Sequence, residues 1–340
     1  MIWLFLAAAA AAPAPVPSEL EVFRDWIVGC DNGRACQAIA LLPENAEWEQ
    51  WLTFSVSRGG ASGDAPIVTL PNLDREPAAL LADGRPLAVR FAAQADGYSV
   101  VSDDATRFFA ALRQSETLEA RSSGGEAIGR ISLAGATAAL LYMDDRQGRV
   151  GTVTALARPG AMPASRVPDP PPRPRLNLAP APIGEAAIPA DAAGIEALRR
   201  EVGCTTEEVG GPDHHEAVAI APATTLILLA CGSGAYNVTS IPFIAKRRGE
   251  AFAVDIAPFA SQWGREQAEL RRPTLINAEW DPQSRLLKEY RKGRGLGDCG
   301  VHAEYGWDGE RFQLVRQEEM SECRGSLQYI TTWRSDVEPP

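Results

Sequence analysis

The chain has 340 residues, of which 45% are hydrophobic and 23% charged, an ordinary globular composition with room for two domains. Its formal net charge of −11 excludes the strongly basic proteins that bind nucleic acid through phosphate contacts. After the first dozen residues no apolar run reaches the roughly 18 residues of a membrane-spanning helix, so we expect no stable membrane span in the mature chain.

The chain begins with a short apolar segment, MIWLFLAAAAAA, that passes directly into small residues and prolines. This segment is too short to cross a bilayer and has the shape of a secretory signal, although no Lys or Arg precedes it. The alternative, a hydrophobic start to a folded domain, needs a core element made almost wholly of alanine. We therefore predict a signal peptide and Pro/Ala lead over residues 1–17, and a periplasmic or secreted protein.

In residues 18–157, several short segments alternate apolar and polar residues as β-strands do, and two segments have the spacing of apolar residues typical of helices. A helix is predicted from Ala105 behind the acidic capping residues Asp103 and Asp104, and a second after Ser132, whose hydroxyl can cap it. The region is predicted to be an α+β domain of mostly antiparallel sheet. Its strands are predicted at Val22–Val28, Gln37–Leu42, Trp51–Ser57, Leu87–Ala92, Thr117–Arg121, Ile128–Ser132 and Val150–Ala155.

Residues 158–189 are dense in proline and alanine and poor in large apolar groups. Such a segment favours polyproline II and buries no core, so we predict a semi-rigid linker. It separates the first domain from a second one at residues 190–338.

The second domain is predicted to begin with a helix capped by Asp191, followed by an antiparallel β-meander or sandwich. The fold class is therefore α+β and mainly β: two antiparallel β-rich domains, each with one or two short helices, joined by a Pro-rich linker. Strands are predicted at Ala217–Ile220, Thr225–Cys231, Ala235–Pro242, Ala251–Ile256, Thr274–Trp280, Arg285–Lys292, His302–Trp307 and Arg311–Arg316.

The six cysteines are even in number, which in an exported protein indicates disulfides. Six cysteines allow 15 connectivities, and the local one respects the domain division. It pairs Cys30 with Cys36, Cys204 with Cys231, and Cys299 with Cys323. A two-residue turn at Asp308-Gly309 would set Cys299 opposite Glu318, so the last pair needs a bulge. The alternative is that these cysteines bind zinc, but the sequence has no Cys-x-x-Cys pair.

Four neighbouring residues, Asp213, His214, His215 and Glu216, are candidate ligands for zinc or another divalent metal. Side chains of neighbouring residues diverge in an extended segment, and no third distant ligand is evident, so a solvated loop is the competing interpretation. The sequence contains no Gly-x-Ser-x-Gly elbow, no pattern typical of a catalytic triad and no glycine-rich phosphate-binding loop. No cofactor is predicted.

A basic patch near the carboxyl end supplies a second candidate site. Lys292 and Arg294 belong to this patch, and with Asp298 and Trp307 they are the candidate binding residues for an anionic glycan or an acidic partner. The alternative is a charged turn beside an edge strand, where Lys and Arg discourage unwanted strand pairing.

Several strings in the sequence carry a resemblance to known families. Phe23-x-Asp25-Trp26, the string KGRGLGDCG around Asp298, and Cys323-Arg324-Gly325 resemble the bacterial envelope family called domain of unknown function 1176. The first domain is also similar to the invasion-associated locus B family, through Trp26, the Cys30 and Cys36 pair, and Ser132-Leu133-x-Gly135. The resemblance implies an exported protein of alphaproteobacterial type and no reaction.

The sequence therefore predicts an exported, disulfide-stabilised envelope protein that is a non-enzymatic binding or interaction module. Its partner would be an envelope protein or a glycan. The alternative function is a metal-assisted envelope hydrolase that uses the segment from Asp213 to Glu216.

Overall fold

The computed structural model of the chain describes residues 14–44, 46, 51–71, 73, 75–183, 192–204, 215–249, 251–260 and 273–338. Within them, the helices are α1 Ala105–Leu112, α2 Ala136–Arg146 and α3 Ala192–Val202. The strands of the first half are β1 Glu21–Phe23, β2 Trp26–Cys30, β3 Cys36–Ala40, β4 Phe54–Arg58, β5 Ile67–Pro71, β6 Ala79–Ala82, β7 Arg85–Leu87, β8 Phe91–Gln94, β9 Gly97–Val100, β10 Thr117–Arg121 and β11 Ala127–Ser132. Those that follow are β12 Arg175–Asn177, β13 His215–Ala221, β14 Thr224–Ser233, β15 Val238–Arg248, β16 Ala251–Ile256, β17 Leu275–Ile276, β18 Glu279–Asp281, β19 Leu286–Lys292, β20 Gly300–Trp307, β21 Phe312–Met320, β22 Ile330–Arg334 and β23 Asp336–Glu338.

The strands assemble into mainly antiparallel sheets. The N-terminal sheet has seven strands in the order β1-β2-β3-β4-β5-β9-β8, and a four-stranded sheet has the order β11-β10-β6-β7. The middle sheet has the order β13-β14-β15-β16, with β17 paired to β15, and the C-terminal sheet runs from β18 to β22 in chain order. The mainly β fold class with short helices is confirmed. None of the described helices has the length and apolar character that a membrane crossing requires.

One face of the N-terminal sheet carries the first core. Phe54 on β4 packs edge-to-face on Trp26, with ring centroids 5.4 Å apart, and lies 5.7 Å from the ring of Phe108 on α1. Leu140 and Met143 of α2 are fully buried in the same core. Because alternate residues of a strand point to opposite faces, the second face of this sheet is left for other contacts.

The side chains predicted to cap α1 and α2 make no capping hydrogen bond, and Asp191, the predicted cap of the next helix, lies outside the described residues. Helix α2 begins after Gly135, whose φ is 99°, and a Cβ there would lie 1.7 Å from the carbonyl oxygen of Phe23, so only glycine fits. The Ser132 hydroxyl instead donates to the carboxylate of Asp25 at 2.6 Å. Asp104, at the start of α1, accepts a hydrogen bond from the backbone N–H of Arg90 at 2.9 Å.

In the second half the middle and C-terminal sheets pack face to face. Leu226 and Leu228 of β14 share a core with Leu287, Tyr305 and Phe312 of the C-terminal sheet. Helix α3 covers the opposite face of the middle sheet, where its buried side chains contact β14 and β15. The middle sheet is therefore covered on both faces, and its central strand β14 is buried along most of its length.

The two halves of the described chain are in contact. Ile27 and Ile39, on the second face of the N-terminal sheet, form a buried cluster with Cys299, Met320 and Ile330. These contacts cover the β2 and β3 part of that face.

The segment predicted as a linker also contacts the folded parts. Val167 and Ala179 are buried, and the Ala179 N–H donates to the carbonyl of Trp307 at 2.8 Å. Strand β12 pairs in parallel with β23 near the chain end. The division of the chain at residues 158–189 into two domains stays a prediction.

Four predicted strands differ from the structure. Leu87–Ala92 is divided between β7 and β8, and Thr274–Trp280 between β17 and β18, and in each case the two strands belong to different sheets. Val22–Val28 contains a tight hairpin instead of one strand, because Arg24 has a φ of 56° and Phe23 pairs with Trp26. Val150–Ala155 is a series of turns with a single bridge from Thr152 to Met162. In these last two segments, turns interrupt the predicted strand.

The turn after β20 also differs from the prediction. Trp307 pairs with Phe312, so the connection has four residues, and a bulge between Glu304 and Tyr305 shifts the register. Gly300 consequently lies opposite Met320. This register brings the chain that follows β21 back towards Cys299.

Candidate functional site

The six cysteines form the local set of disulfides. Cys30 is bonded to Cys36, Cys204 to Cys231 and Cys299 to Cys323, which leaves no free cysteine. Cys30 and Cys36 face each other across the β2–β3 hairpin. The three bridges tie segments within each half of the chain.

Two of the four predicted metal ligands, Asp213 and His214, lie outside the described residues. His215 and Glu216 begin β13, where neighbouring side chains point to opposite faces. The pKa of Glu216 is raised by burial and by the charge of Glu279. In the part of the chain that the structure describes, no three His, Cys, Asp or Glu side chains are grouped to hold a metal. The metal site stays a prediction.

The predicted binding residues separate into two places. Lys292 ends β19, and Arg294 and Asp298 lie in the loop that follows it, whereas Trp307 is buried in the core between the two sheets of the second half. Arg294 pairs with the fully buried carboxylate of Asp298 through two hydrogen bonds, of 2.6 and 2.5 Å. Burial alone would raise the pKa of Asp298, but the hydrogen bonds from Arg294 and from the Gly325 N–H lower it below its usual value.

The loop that carries these residues is held by aromatic and amide side chains. The hydroxyls of Tyr290 and Tyr329 both donate to the carbonyl of Gly297, at 2.9 and 3.0 Å. The carboxamide of Asn237, from the β14–β15 turn, donates to the Lys292 carbonyl at 3.0 Å. These contacts make the loop a structural joint between the middle and C-terminal sheets.

A second joint connects the two halves of the chain. The guanidinium of Arg324 contacts the Asp25 carboxylate at 2.5 Å and donates to the carbonyls of Leu42 and Arg24 at 2.7 and 2.8 Å. Asn32 exchanges two hydrogen bonds with the backbone of Arg334, at 2.9 and 2.8 Å. The strings that carry the family resemblance thus meet in space at this junction.

Next to the junction, the uncovered part of the second face of the N-terminal sheet forms a groove. It consists of two adjoining depressions of about 630 and 260 Å³, and Ile67 lines both. The larger depression is lined by Ile67, Thr69, Pro71, Gln94, Ala95, Asp96, Ser99, Leu327 and Gln328. The smaller is lined by Ala35, Cys36, Gln37, Ser57, Arg58, Gly59, Ile67, Thr331 and Arg334.

Both halves of the chain contribute to this groove. Its floor consists of outward side chains of β3, β4, β5, β9 and β8, and its wall is the loop containing Leu327 and Gln328 together with β22. Ligand sites often lie where two parts of a chain meet, because such a junction leaves concave surface. The groove is therefore our candidate functional site.

The floor of the groove combines hydroxyl and carboxamide side chains with apolar ones and carries little net charge. Thr69 lies opposite Ser99 in the sheet register, and the Gln94 carboxamide donates to the Ser99 hydroxyl at 2.9 Å. Arg334 is already 3.4 Å from the carboxylate of Asp31. Because hydroxyls and carboxamides both donate and accept hydrogen bonds, the groove suits a neutral polar ligand.

A buried ion pair supports one end of the groove from below. The guanidinium of Arg58 lies 2.7 Å from the carboxylate of Asp144, and both side chains are completely buried. Gln147 accepts from Arg58 at 2.7 Å and donates to three backbone carbonyls. Burial lowers the pKa of Arg58 to about 10, so it stays charged at neutral pH next to Asp144.

The C-terminal sheet also carries a partly buried histidine, His302, stacked on Tyr290 with ring centroids 3.8 Å apart. Burial lowers its pKa, the charge of Arg316 lowers it further, and Glu318 opposes the shift. Because the unfolded chain then binds the proton more readily, this contribution to stability is complete above about pH 6.5 and is lost as the pH falls below it.

We expect the denaturation midpoint of the protein to fall more between pH 7.5 and 5.5 than that of His302→Phe, which keeps a ring on Tyr290 without a titrating group. Urea unfolding at the two pH values measures both midpoints. Parallel pH dependence of the two proteins would contradict this assignment.

Sequence reasoning missed the groove because β5 and β9 were not predicted. The signal is present, since Ile67-Val-Thr-Leu alternates outward Ile67 and Thr69 with buried Val68 and Leu70. Which face of the sheet stays uncovered depends on β22, far away in sequence.

Comparison with known proteins gives a family but no activity. A family model described as "Protein of unknown function (DUF1176)" matches residues 20–336. The "Uncharacterized protein YpfG" of Escherichia coli (strain K12) is 31% identical over 349 residues, covering 92% of each chain. No solved structure matches the chain significantly. The similarity to the invasion-associated locus B family has no support from these matches and stays a prediction.

Proposed function

Since this chain belongs to the DUF1176 family of proteins of unknown function, its activity has to be argued from its own residues, and we propose that it is an exported, non-enzymatic binding module. The groove is its binding site. The observation that carries the proposal is that residues of both halves line this groove, beside a junction held by Arg324 and Asn32.

Export is supported by the three disulfides. Such bonds persist in oxidising compartments and are rare in a reducing cytosol. The apolar segment at the beginning of the sequence agrees with a secretory signal.

Cell fractionation tests export. We expect the full chain to be found in the periplasmic fraction, shortened at its amino end, with six cysteines that a maleimide modifies only after reduction. The control carries Leu4→Arg and Leu6→Arg in the apolar segment, and we expect it to stay in the cytosol. Full-length protein with reactive thiols in the cytosol would refute export.

Site-specific photo-crosslinking tests the binding site. A benzophenone amino acid at position 67, in the groove, is compared with one at position 153, where Val153 is equally exposed but does not line it. We expect a discrete adduct from position 67 alone, and its loss when Leu327 is replaced by Ser. Equal adducts from both positions, or none from position 67, would refute the groove as the binding site.

A further inference from the structure

Two large aliphatic side chains are exposed inside the groove, among hydrogen-bonding side chains. Ile67 on the floor is 57% exposed and Leu327 on the wall is 54% exposed, and both line the larger depression. Around them are the hydroxyls of Thr69 and Ser99 and the carboxamide of Gln94. A ligand that complements this surface must place apolar groups between hydrogen-bonding groups.

The wall of the groove also holds an unsatisfied acceptor. The carboxamide oxygen of Gln328 is closed off from solvent and accepts no hydrogen bond from the described part of the chain. Buried polar groups are nearly always paired, so an exception of this kind needs an explanation. A rotation of the Gln328 side chain into the groove would allow a ligand N–H to satisfy this oxygen.

The length of the groove is set by the sheet below it. Its floor extends from Gln37 on β3 to Gln94 on β8, across four strand spacings, or about 19 Å. An extended chain of about six residues has this length. Such a chain would match the mixed lining of the groove if polar and aliphatic residues alternated along it.

The charges of the groove, and the lack of aromatic rings among its described lining residues, favour one class of ligand. The charged side chains of the lining are those of Asp96 and Arg334, and Arg334 already faces the carboxylate of Asp31; the guanidinium of Arg58 is completely buried against Asp144 below the groove. None of the described lining residues is aromatic, so a sugar ring has no flat surface on which to stack.

From these observations we infer that the groove binds an extended, uncharged polypeptide segment in which aliphatic and small polar residues alternate. This inference rests on the proposed function and names the ligand class of the same site. Aliphatic side chains of the ligand cover Ile67 and Leu327, and its main-chain N–H and C=O groups pair with the carboxamides and hydroxyls of the lining.

Fluorescence anisotropy with a labelled, capped peptide of alternating serine and leucine, six residues long, tests the inference. We expect saturable binding below about 1 mM, at least tenfold weaker for Ile67→Ser and for Leu327→Ser. The matched controls are Val153→Ser and Leu296→Ser, because these residues are 60% and 58% exposed and lie outside the groove. We expect the controls to bind within twofold of the unsubstituted protein, and 300 mM NaCl to change affinity less than twofold.

A tetrasaccharide of N-acetylglucosamine is the competing probe. If it binds and the peptide does not, and the groove variants weaken it, the peptide inference is overturned while the groove remains a binding site. If neither probe binds at 1 mM, the inference fails, and the fate of the proposed function is decided separately by the crosslinking at position 67. Peptide binding that all four variants leave unchanged would also overturn it.

Discussion

Replacement of Asp144 by alanine is expected to lower the free energy of unfolding by about 3–5 kcal/mol, because it leaves a charged guanidinium buried without its partner. Asp144 and Arg58 are completely buried, and the same carboxylate accepts hydrogen bonds from the backbone N–H groups of Leu156 and Ala157, each at 2.8 Å. The substitution therefore removes three contacts at one site. Urea denaturation followed by circular dichroism measures the change.

The neighbouring carboxylate provides a matched control. Asp145 is exposed on the same helix, so we expect Asp145→Ala to leave the unfolding midpoint unchanged. The double variant Arg58→Met/Asp144→Leu removes both charges, and we expect it to be more stable than Asp144→Ala. A cost of less than about 1 kcal/mol for Asp144→Ala would show that the pair does not stabilise the fold in this way.

Loss of the Cys299–Cys323 disulfide is expected to lower the free energy of unfolding by about 3.5 kcal/mol, as the entropy of closing a loop of this length predicts. The bridge spans 24 residues. Cys299 is buried in the cluster shared by the two halves. Next to Cys323, the guanidinium of Arg324 pairs with the carboxylate of Asp25. We therefore expect the double variant Cys299→Ala/Cys323→Ala to weaken the junction as well as the sheet.

Denaturant unfolding without reductant measures this loss. The control is Cys30→Ala/Cys36→Ala, which opens a bridge that spans only 6 residues and is expected to cost about 2 kcal/mol. Limited proteolysis of the first double variant should open the segment around Leu327 before the rest of the chain. A smaller loss for this variant than for the control would mean that loop closure and the junction do not decide its stability.

The sequence by itself determined the features that depend on local pattern. Alternation predicted β10, β11, β14 and most strands of the second half, since a strand half buried on one face has to alternate. The spacing of the cysteines indicated the three pairs that the structure contains, because each lies within one hairpin or one half of the chain.

Features that depend on distant contacts were decided only by the tertiary structure. The sequence places Asp144 in an acidic run at the end of α2, yet it is the buried partner of Arg58, which is 86 residues away. Ser132 has a side chain that can cap a helix, but its hydroxyl donates to Asp25 instead. The helix begins after Gly135, where the backbone of Phe23 is too close for a residue with a Cβ.

The groove is the clearest case. Thr69 and Ser99 show in the sequence only that one face of a strand is polar. Strand β22 and the loop before it, more than two hundred residues later, cover one part of that face and leave the other part open. Local pattern thus determines which face of a strand a residue occupies, whereas the packing of remote elements determines whether that face is core, junction or binding surface.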